Sequence, residues 1–251
     1  HLDRVTITGA DDSIDPMEVV KISKQYPFAE FGILLSLSRW ESPRFPSRQW
    51  IYALQDLADT HPLRLSLHLC GALPQDLLVG DILTFPVQCA HGFQRIQLNH
   101  GGKAWPCEAT RFPKALAWLG AQREYIFQIS EGIGLSYLET YLEDYGNAVP
   151  LFDCSHGHGN VPKVWPRPFM HANDTDYAYH GYAGGLGPDN LAEQLPRIAE
   201  AAGQCRIWCD MESSVRSNSD RQFDLEKVCR CLETCAPFIK GTQNAKRDLP
   251  A

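Results

Sequence analysis

Short apolar runs recur along the whole chain at intervals of about 25 to 33 residues, and most are separated by stretches with helical periodicity. Each run has the length and the β-branched or aromatic character of a strand. Regular alternation of strands and helices indicates right-handed βαβ units around a parallel sheet. The eight predicted strands are residues 4–8, 31–36, 64–69, 94–98, 125–129, 149–152, 180–183 and 205–211.

The number of units and the chain length together select the fold. Eight strand–helix units in 251 residues match a closed (β/α)8 TIM barrel, and an open doubly wound sheet is the alternative. No linker divides the sequence, so residues 1–251 are predicted to form a single TIM-barrel domain. Residues 161–179 exceed the usual loop length, which predicts a lid or insertion over the site. The predicted helices are residues 16–26, 47–58, a stretch after Pro74, 113–121, 137–145, 190–202 and 223–234.

Charge and cysteine content restrict the partners and the compartment. The formal net charge of −7 argues against a nucleic-acid or anionic-membrane surface, and no apolar run is long enough to span a bilayer. The nine cysteines are odd in number and form no C-x-x-C pair, so neither a disulfide framework nor a zinc site is indicated. We therefore expect a cytoplasmic protein, a monomer or homodimer, with no cofactor and no resident metal.

Functional residues of a TIM barrel gather where the strands end and the following loops begin. In this chain those positions are polar and partly acidic, which suits a small-molecule substrate. They include Thr8, Asp11, Asp12, Ser36, Arg44, His68, Asn99, His100, Glu131, Asp153, His156, Gly184, Gly185, Asp210, Glu212, Ser213 and Ser214.

The turn after the seventh predicted strand has the composition of an anion-binding loop. Gly184 and Gly185 allow backbone N–H groups to approach a ligand without an intervening Cβ atom. Pro188 is predicted to open the next helix and Asp189 to cap it. The N-terminus of a helix presented in this way favours negative charge. A plain strand-to-helix turn is the alternative.

Several segments, in the same order along nearly the whole chain, resemble motifs of the phosphoribosylanthranilate isomerase family. That family consists of TIM-barrel enzymes of tryptophan biosynthesis that perform an Amadori rearrangement on a phosphorylated ribosyl amine. The matching segments are residues 5–9 (VTITG, family V-K-I-C-G), 31–34 (FGIL, G-F-V-F), 42–45 (SPRF, S-P-R-Y), 96–101 (IQLNHG, V-Q-L-H-G), 151–154 (LFDC, L-L-D-S), 183–190 (AGGLGPDN, A-G-G-L-x-P-E-N), 210–215 (DMESSV, D-V-S-S-G-V) and 223–228 (FDLEKV, K-D-x-x-K-I).

The resemblance implies catalytic roles for two positions. Asp153 matches the family's general acid, which protonates the ribose ring oxygen and opens the sugar to an imine. Thr8 occupies the place of the cysteine that removes the C2 proton as general base, and a neutral hydroxyl needs an activating partner for that step. Asp11 or Asp12, in the loop that follows, is the candidate substitute for the base. Solvated capping is the alternative for both of these aspartates.

The resemblance also implies how the substrate is bound. Arg44 matches the arginine that pairs with the anthranilate carboxylate, a pairing that suits a guanidinium; a surface salt bridge is the alternative. The phosphate is expected on the backbone around Gly184 and Gly185 and on the loop after strand eight. That loop carries Ser213 and Ser214, and it also carries Glu212, which would repel a phosphate unless it points elsewhere or holds a cation. His100 is a further substrate-binding candidate.

Two histidines leave a second class of function open. His156 and His158 follow Asp153 closely, and with Asp153 or Glu212 they are candidates for a metal-assisted reaction in a diverged barrel. Ordinary loop histidines are the alternative, and His68 on the third strand is expected to be a packed, hydrogen-bonded core residue. A third possibility is a barrel that binds a small molecule without turning it over.

Overall fold

Eight parallel strands close into a barrel in the computed structural model, which describes residues 1–78, 90–99, 122–130, 147–153, 155, 159–169 and 179–240. Each strand pairs with the next along the chain, and β1 pairs with β8 to complete the circle. The predicted TIM barrel is therefore confirmed. The strands are β1 Leu2–Thr8, β2 Ala29–Leu35, β3 Leu65–Leu69, β4 Arg95–Leu98, β5 Glu124–Ile129, β6 Ala148–Asp153, β7 His180–Ala183 and β8 Ile207–Met211.

Five α-helices lie between or after these strands in the described part of the chain, and most begin at a residue that caps them. The Asp15 carboxylate accepts a hydrogen bond from Met17 N at 2.8 Å, and Ser47 Oγ accepts one from Trp50 N at 3.2 Å. The predicted helices at 113–121 and 137–145 lie outside the described residues. The helices are α1 Pro16–Gln25, α2 Arg48–Ala58, α3 Leu73–Leu78, α4 Leu191–Ala202 and α5 Leu225–Cys235.

The start of α4 corrects one prediction. Pro188 and Asp189 lie before the helix, and the N-cap position belongs to Asn190. The Asn190 side chain turns back into the preceding loop, where Oδ1 accepts from Gly187 N at 2.9 Å and Nδ2 donates to Gly185 O at 2.7 Å. An asparagine that satisfies the loop in this way leaves no capping role for Asp189.

A layer of apolar side chains between the strands and the helices supplies most of the stabilisation. All seven residues of β2 are buried, and the buried faces of α2, α4 and α5 pack on the same core. Burying one large aliphatic or aromatic side chain contributes about 1.5–3 kcal/mol. Cys209, Cys231 and Cys235 belong to this layer as reduced, fully buried residues, as expected for core thiols.

The inside of the barrel is divided between apolar and ionic groups. On the β5–β8 side, Ile126, Val149, Leu151 and Trp208 form one apolar cluster. At the amino-terminal end, the buried Glu30 carboxylate accepts 2.9 Å bonds from Arg4 Nη1 and Arg95 Nη1 and a 2.8 Å bond from Thr6 Oγ1. The guanidinium of Arg95 also stacks 4.1 Å above the Trp208 ring. These buried groups occupy the amino-terminal half of the barrel interior.

Three further features bear on the site. After β8 a short hairpin, unpredicted from the sequence, pairs Arg216–Ser217 (β9) with Gln222–Phe223 (β10). Part of the predicted lid, residues 161–169, packs against α4: Trp165 Nε1 donates to Gln194 Oε1 at 3.0 Å, and Arg197 Nη2 donates to Lys163 O at 2.7 Å. Among the described helices, none has the length and apolar character needed to cross a membrane.

Candidate active site

A cavity of about 770 Å³ opens at the carboxyl ends of the strands, where TIM barrels place their sites. Its volume is in the range of small-molecule pockets. Both polar and apolar groups line it, and three of its carboxyl groups come from β6 and from the end of β8. The lining residues include Leu34, Ser36, Ser38, Arg39, Arg44, Cys70, Gln97, Asn99, Gln128, Asp153, Ser155, Gly184, Gly185, Asp210, Glu212, Ser213 and Ser214.

Asp153 ends β6 and is held rigidly as a hydrogen-bond acceptor. Its Oδ2 accepts from Gln128 Nε2 at 2.6 Å, and its Oδ1 accepts from the backbone N and the hydroxyl of Ser155 at 3.0 and 2.6 Å. The side chain is buried at the wall of the cavity. The sequence placed Asp153 at this position, and the structure adds the two partners that fix its orientation.

Asp210 is the penultimate residue of β8 and faces the same cavity. Its Oδ1 accepts a 2.7 Å hydrogen bond from the hydroxyl of Thr8, its partner on the neighbouring strand β1. Burial raises the pKa of Asp210 to about 8, and the nearby carboxyl groups of Glu212, Glu30 and Asp153 add to this rise, while the Thr8 hydrogen bond opposes it. A carboxyl group with such a pKa retains its proton at neutral pH. From the sequence, Asp210 was expected at a strand end, without an assigned role.

Thr8 itself does not line the cavity. It is fully buried and contributes to the site only through its bond to Asp210. Gly32 on β2 makes room for it, because a Cβ atom there would lie 2.8 Å from the His68 ring and closer still to Thr8 Oγ1. Thr8, at the position expected for a general base, therefore supports the Asp210 carboxyl group on the neighbouring strand β8 through a hydrogen bond.

Arg44 and Glu212 form an ion pair at the mouth of the cavity. Arg44 Nη1 donates to Glu212 Oε1. Arg44 Nε and Nη2 lie 2.8 Å from Oδ2 and Oδ1 of Asp220, respectively. Burial raises the pKa of Glu212, and Arg44 opposes that rise. The Glu212 carboxylate thus meets a guanidinium of the same protein, which explains how the loop accepts an acid beside a predicted phosphate site. The same pairing occupies the arginine that the resemblance assigns to a substrate carboxylate.

Asp11 lies in a buried network outside the cavity lining. Its Oδ2 accepts from Arg216 Nη2 at 2.6 Å and from the backbone N of Arg44 at 2.7 Å, and its Oδ1 accepts from Ser13 N and Oγ at 3.0 and 2.6 Å. Both oxygens are therefore saturated, and the network ties together the loops after β1, β2 and β8. Asp12 caps the start of α2 by accepting from Ser47 N and Oγ. This geometry favours bracing roles for both aspartates.

The Gly184–Gly185 turn is formed, but the chain's own backbone covers part of it. Both glycines have positive φ values, 116° and 62°, which favour glycine. A Cβ atom on Gly185 would lie 2.7 Å from Val161 N and closer still to Gly159 O. The backbone of residues 159–161 therefore occupies part of the space that the missing Cβ atoms would leave for a ligand. Ser214 Oγ donates to Leu186 O, which commits that hydroxyl to the turn; Ser213 Oγ accepts from Arg44 Nη1 at 3.3 Å.

Two polar residues near the site were not assigned catalytic roles from the sequence. Cys70 lines the cavity after β3, where Asn99 Nδ2 donates to its sulfur at 3.3 Å; burial raises its pKa to about 12, so it is a thiol rather than a thiolate. His68 is packed in the barrel as predicted, but neither of its ring nitrogens has a hydrogen-bond partner among the residues that the structure describes. Burial lowers the pKa of His68 to about 3, which keeps the imidazole neutral.

The remaining candidates concern metals. His100, His156 and His158 lie outside the described residues. In the ranges that the structure describes, no group of three or more His, Cys, Asp or Glu side chains is arranged to hold a metal ion. The polar groups in the described part of the site are therefore carboxyl, guanidinium, amide and hydroxyl groups and the thiol of Cys70.

The fold and the site define a closed parallel (β/α)8 barrel with a polar cavity at the carboxyl ends of its strands. Neither the protein-family models nor the curated proteins give a match to the sequence. Solved structures do match in three dimensions. Phosphoribosyl anthranilate isomerase from Thermotoga maritima aligns over 93% of this chain and 98% of its own, with a TM-score of 0.51 and 13% identity.

Other barrel enzymes match equally well. A 3-keto-L-gulonate-6-phosphate decarboxylase from Vibrio cholerae aligns over 95% of this chain and 99% of its own, with a TM-score of 0.53 and 12% identity. A truncated 3-deoxy-D-arabino-heptulosonate 7-phosphate synthase from Thermotoga maritima covers 94% and 86%, with a TM-score of 0.54 and 11% identity. At such identities the likeness concerns the fold. These neighbours are enzymes of different reaction classes, and the isomerase is one of several.

Proposed function

We propose that the protein is an acid–base isomerase that performs an Amadori-type aldose–ketose rearrangement on a small sugar-derived amine. One observation carries the proposal: two buried carboxyl groups, Asp153 and Asp210, face one cavity from different environments. Among the described residues, three donors bond to the Asp153 carboxyl group and one donor bonds to that of Asp210. Titratable groups in contrasting environments are the usual arrangement for an acid and a base in one site.

The chemistry needs one group that donates a proton and one that accepts it. Protonation of the ring oxygen opens the sugar to an imine, and removal of the C2 proton then gives the enolamine that leads to the ketose. Asp210 holds its proton at neutral pH, so it serves as the acid. Asp153, which is fixed as an acceptor by Gln128 and Ser155, serves as the base. The family resemblance implies that Asp153 is the general acid. In this proposal Asp153 is the general base, and Asp210 is the general acid.

The sequence resemblance supports the reaction class, and the site departs from the family in its details. The cysteine position holds Thr8, whose hydroxyl supports Asp210 instead of acting on a substrate. An isomerase neighbour was solved in complex with reduced 1-(o-carboxyphenylamino)-1-deoxyribulose 5-phosphate, a phosphorylated sugar amine. Phosphoribosylanthranilate is therefore the first substrate to test. We expect a small molecule as the only partner that the site itself requires.

The test is a single-turnover assay with phosphoribosylanthranilate generated in situ, followed by the loss of anthranilate-type fluorescence. Wild type, Asp153→Asn and Asp210→Asn are compared with Asp56→Asn, an exposed position on α2, as the matched control. Both site variants are expected to lose at least about a hundredfold in rate, the usual contribution of a general acid or base. The control is expected to keep the wild-type rate.

The pH profile separates the two assignments of acid and base. If Asp210 is the acid, kcat/KM falls as the pH rises through about 8, because the group must hold its proton in the free enzyme. A rate that rises through the same pH would make Asp210 the base and restore Asp153 as the acid. No turnover by wild type at near-stoichiometric enzyme would refute this substrate, and full activity of Asp210→Asn would refute the mechanism.

A further inference from the structure

The two groups expected to bind a substrate anion are already engaged within the protein. Arg44 is held by Glu212 at one nitrogen and by Asp220 at two others. The Gly184–Gly185 turn lies against the backbone of residues 159–161. Displacing these contacts would break half-buried ion pairs or move a packed loop. An anionic substrate therefore needs another cation at the cavity.

Arg39 is such a cation. It lies in the short 3₁₀ turn Leu37–Arg39 that follows β2, and it lines the same cavity. In the part of the chain that the structure describes, no carboxylate lies within ion-pair distance of its guanidinium, in contrast to Arg44. Its guanidinium carbon lies 5.8 Å from the centre of the Phe45 ring, a cation–π contact, and the residue is exposed.

Two hydroxyl groups lie beside Arg39 on the same wall. Ser36 Oγ and Ser38 Oγ are 3.3 Å apart, and both residues line the cavity. Gly71, two residues after the end of β3, comes close to this pair: a Cβ atom there would lie 3.2 Å from Ser36 Oγ, and its φ of 71° favours glycine. The segment after β2 thus presents one guanidinium and two hydroxyl groups to the same cavity.

The charges around the cavity give this wall its polarity. The carboxyl groups of Asp153, Asp210 and Glu212 belong to β6 and to the end of β8, and β6 lies opposite β2 in the eight-stranded barrel. A ligand anion is attracted to Arg39 on the β2 side, across the barrel from Asp153. Asp210 retains its proton and Glu212 is paired with Arg44, so neither opposes this attraction with a full negative charge. The same orientation would bring the far end of the ligand towards Asp153.

We propose that Arg39, together with Ser36 and Ser38, binds the phosphate or carboxylate group of the small-molecule substrate. A guanidinium and neighbouring hydroxyls are well suited to either oxyanion. The proposal rests on the proposed function for the nature of the substrate, but the anion site exists independently of the reaction. It places the anchoring arginine five residues before the one that the sequence motif indicates.

The experiment is isothermal titration calorimetry at low ionic strength with inorganic phosphate, ribose 5-phosphate and anthranilate as separate probes. The proteins are wild type, Arg39→Gln, Arg39→Lys and the control Arg64→Gln, which removes the same charge from an exposed position before β3 at the opposite end of the barrel. Because Arg39 is itself exposed, its substitution is expected to leave folding intact, and a thermal melt verifies this.

Wild type is expected to bind at least one probe, and Arg39→Gln to weaken that binding about tenfold or more through the loss of charge-assisted hydrogen bonds. Arg39→Lys should recover part of the affinity, and Arg64→Gln should leave it unchanged. The responsive probe distinguishes a phosphate site from a carboxylate site. Equal affinity in wild type and Arg39→Gln, or no binding of any probe by wild type, would overturn the proposal.

Binding and turnover are measured separately, so the two proposals fail in different ways. Anion binding that depends on Arg39, without isomerase turnover, would retain the anion site and reject the reaction. Turnover with unaltered KM in Arg39→Gln would retain the reaction and reject the anion site.

Discussion

The hydroxyl of Thr8 on β1 donates a 2.7 Å hydrogen bond to Oδ1 of Asp210 on β8. The two residues are 202 positions apart in the chain, and the closure of the barrel makes their strands neighbours. The bond stabilises the ionised form of Asp210 and so moderates the rise of its pKa that burial causes. Thr8 thereby sets the protonation of the carboxyl group to which we assign the acid's role.

Replacing Thr8 with valine tests this coupling. Thr8→Val keeps the shape of the side chain and removes the donor, so the pKa of Asp210 is expected to rise above its value of about 8. A loss of about 1 kcal/mol in the free energy of unfolding should accompany it. The measurement is an NMR titration of the Asp210 carboxyl carbon, with Thr60→Val at an exposed position as control. An unchanged or lower pKa in Thr8→Val would contradict the assignment.

The protonation of Asp210 also predicts how stability depends on pH. Its pKa is raised on folding from 3.8 to about 8, so the folded state binds the proton more tightly than the unfolded state does. This contribution to stability is complete below pH 3.8 and is lost as the pH rises through about 8. An asparagine at position 210 resembles the protonated carboxyl group at every pH. The stability of Asp210→Asn therefore does not fall as the pH rises through about 8.

The free energy of unfolding of wild type and Asp210→Asn is therefore expected to diverge between pH 4 and pH 8. The variant should become the more stable by a few kcal/mol at the upper end, on the order set by the pKa difference. Urea titrations at several pH values measure the divergence. Parallel pH dependences in the two proteins would show that Asp210 titrates normally.

Arg216 is predicted to be essential for stability. It is buried, and its guanidinium pairs with the Asp11 carboxylate at 2.6 Å and with Asp220 at 2.7 Å. Arg216→Met leaves the buried Asp11 without its charged partner, a change that costs about 3–5 kcal/mol. Thermal and chemical denaturation measure the loss. Arg221→Met, an exposed arginine in the same hairpin, should change stability by less than about 0.5 kcal/mol; similar effects of the two substitutions would contradict the role of the buried pair.

Features that depend on local sequence patterns could be predicted, whereas contacts between residues distant in the chain could not. The barrel was predictable because hydrophobic periodicity and strand–helix alternation are local patterns repeated eight times. Strand ends were predictable too, and they placed Asp153 at the cavity wall. The partner of each polar group was not predictable, because barrel closure joins residues that are distant in the chain. Asp11 illustrates the limit: its loop was evident, and its bond to Arg216, 205 residues away, was not.

Arg44 and Gly185 show a second limit. Their motifs have the composition of ligand-binding groups, but whether the protein itself occupies such groups depends on other loops. Glu212 was recognised as a problem for a phosphate, and only the structure shows its guanidinium partner. Pro196 lies within α4, where proline is usually unfavourable, and nothing in the structure explains its presence there.

The close packing of Gly185 provides a matched pair of glycine substitutions. Gly185 and Gly203 have nearly equal φ values of 62° and 59°, but a Cβ atom on Gly203 would meet nothing within 4 Å, whereas on Gly185 it would collide with the backbone of residues 159–161. Gly203→Ala is expected to cost about 1–3 kcal/mol, because a φ of 59° with a ψ of −124° is sparsely populated by residues that carry a Cβ atom. Gly185→Ala is strained by its positive φ and must also displace a loop, so its loss should be clearly larger. Denaturation of both variants measures the difference, and equal losses would mean that residues 159–161 do not pack against the turn.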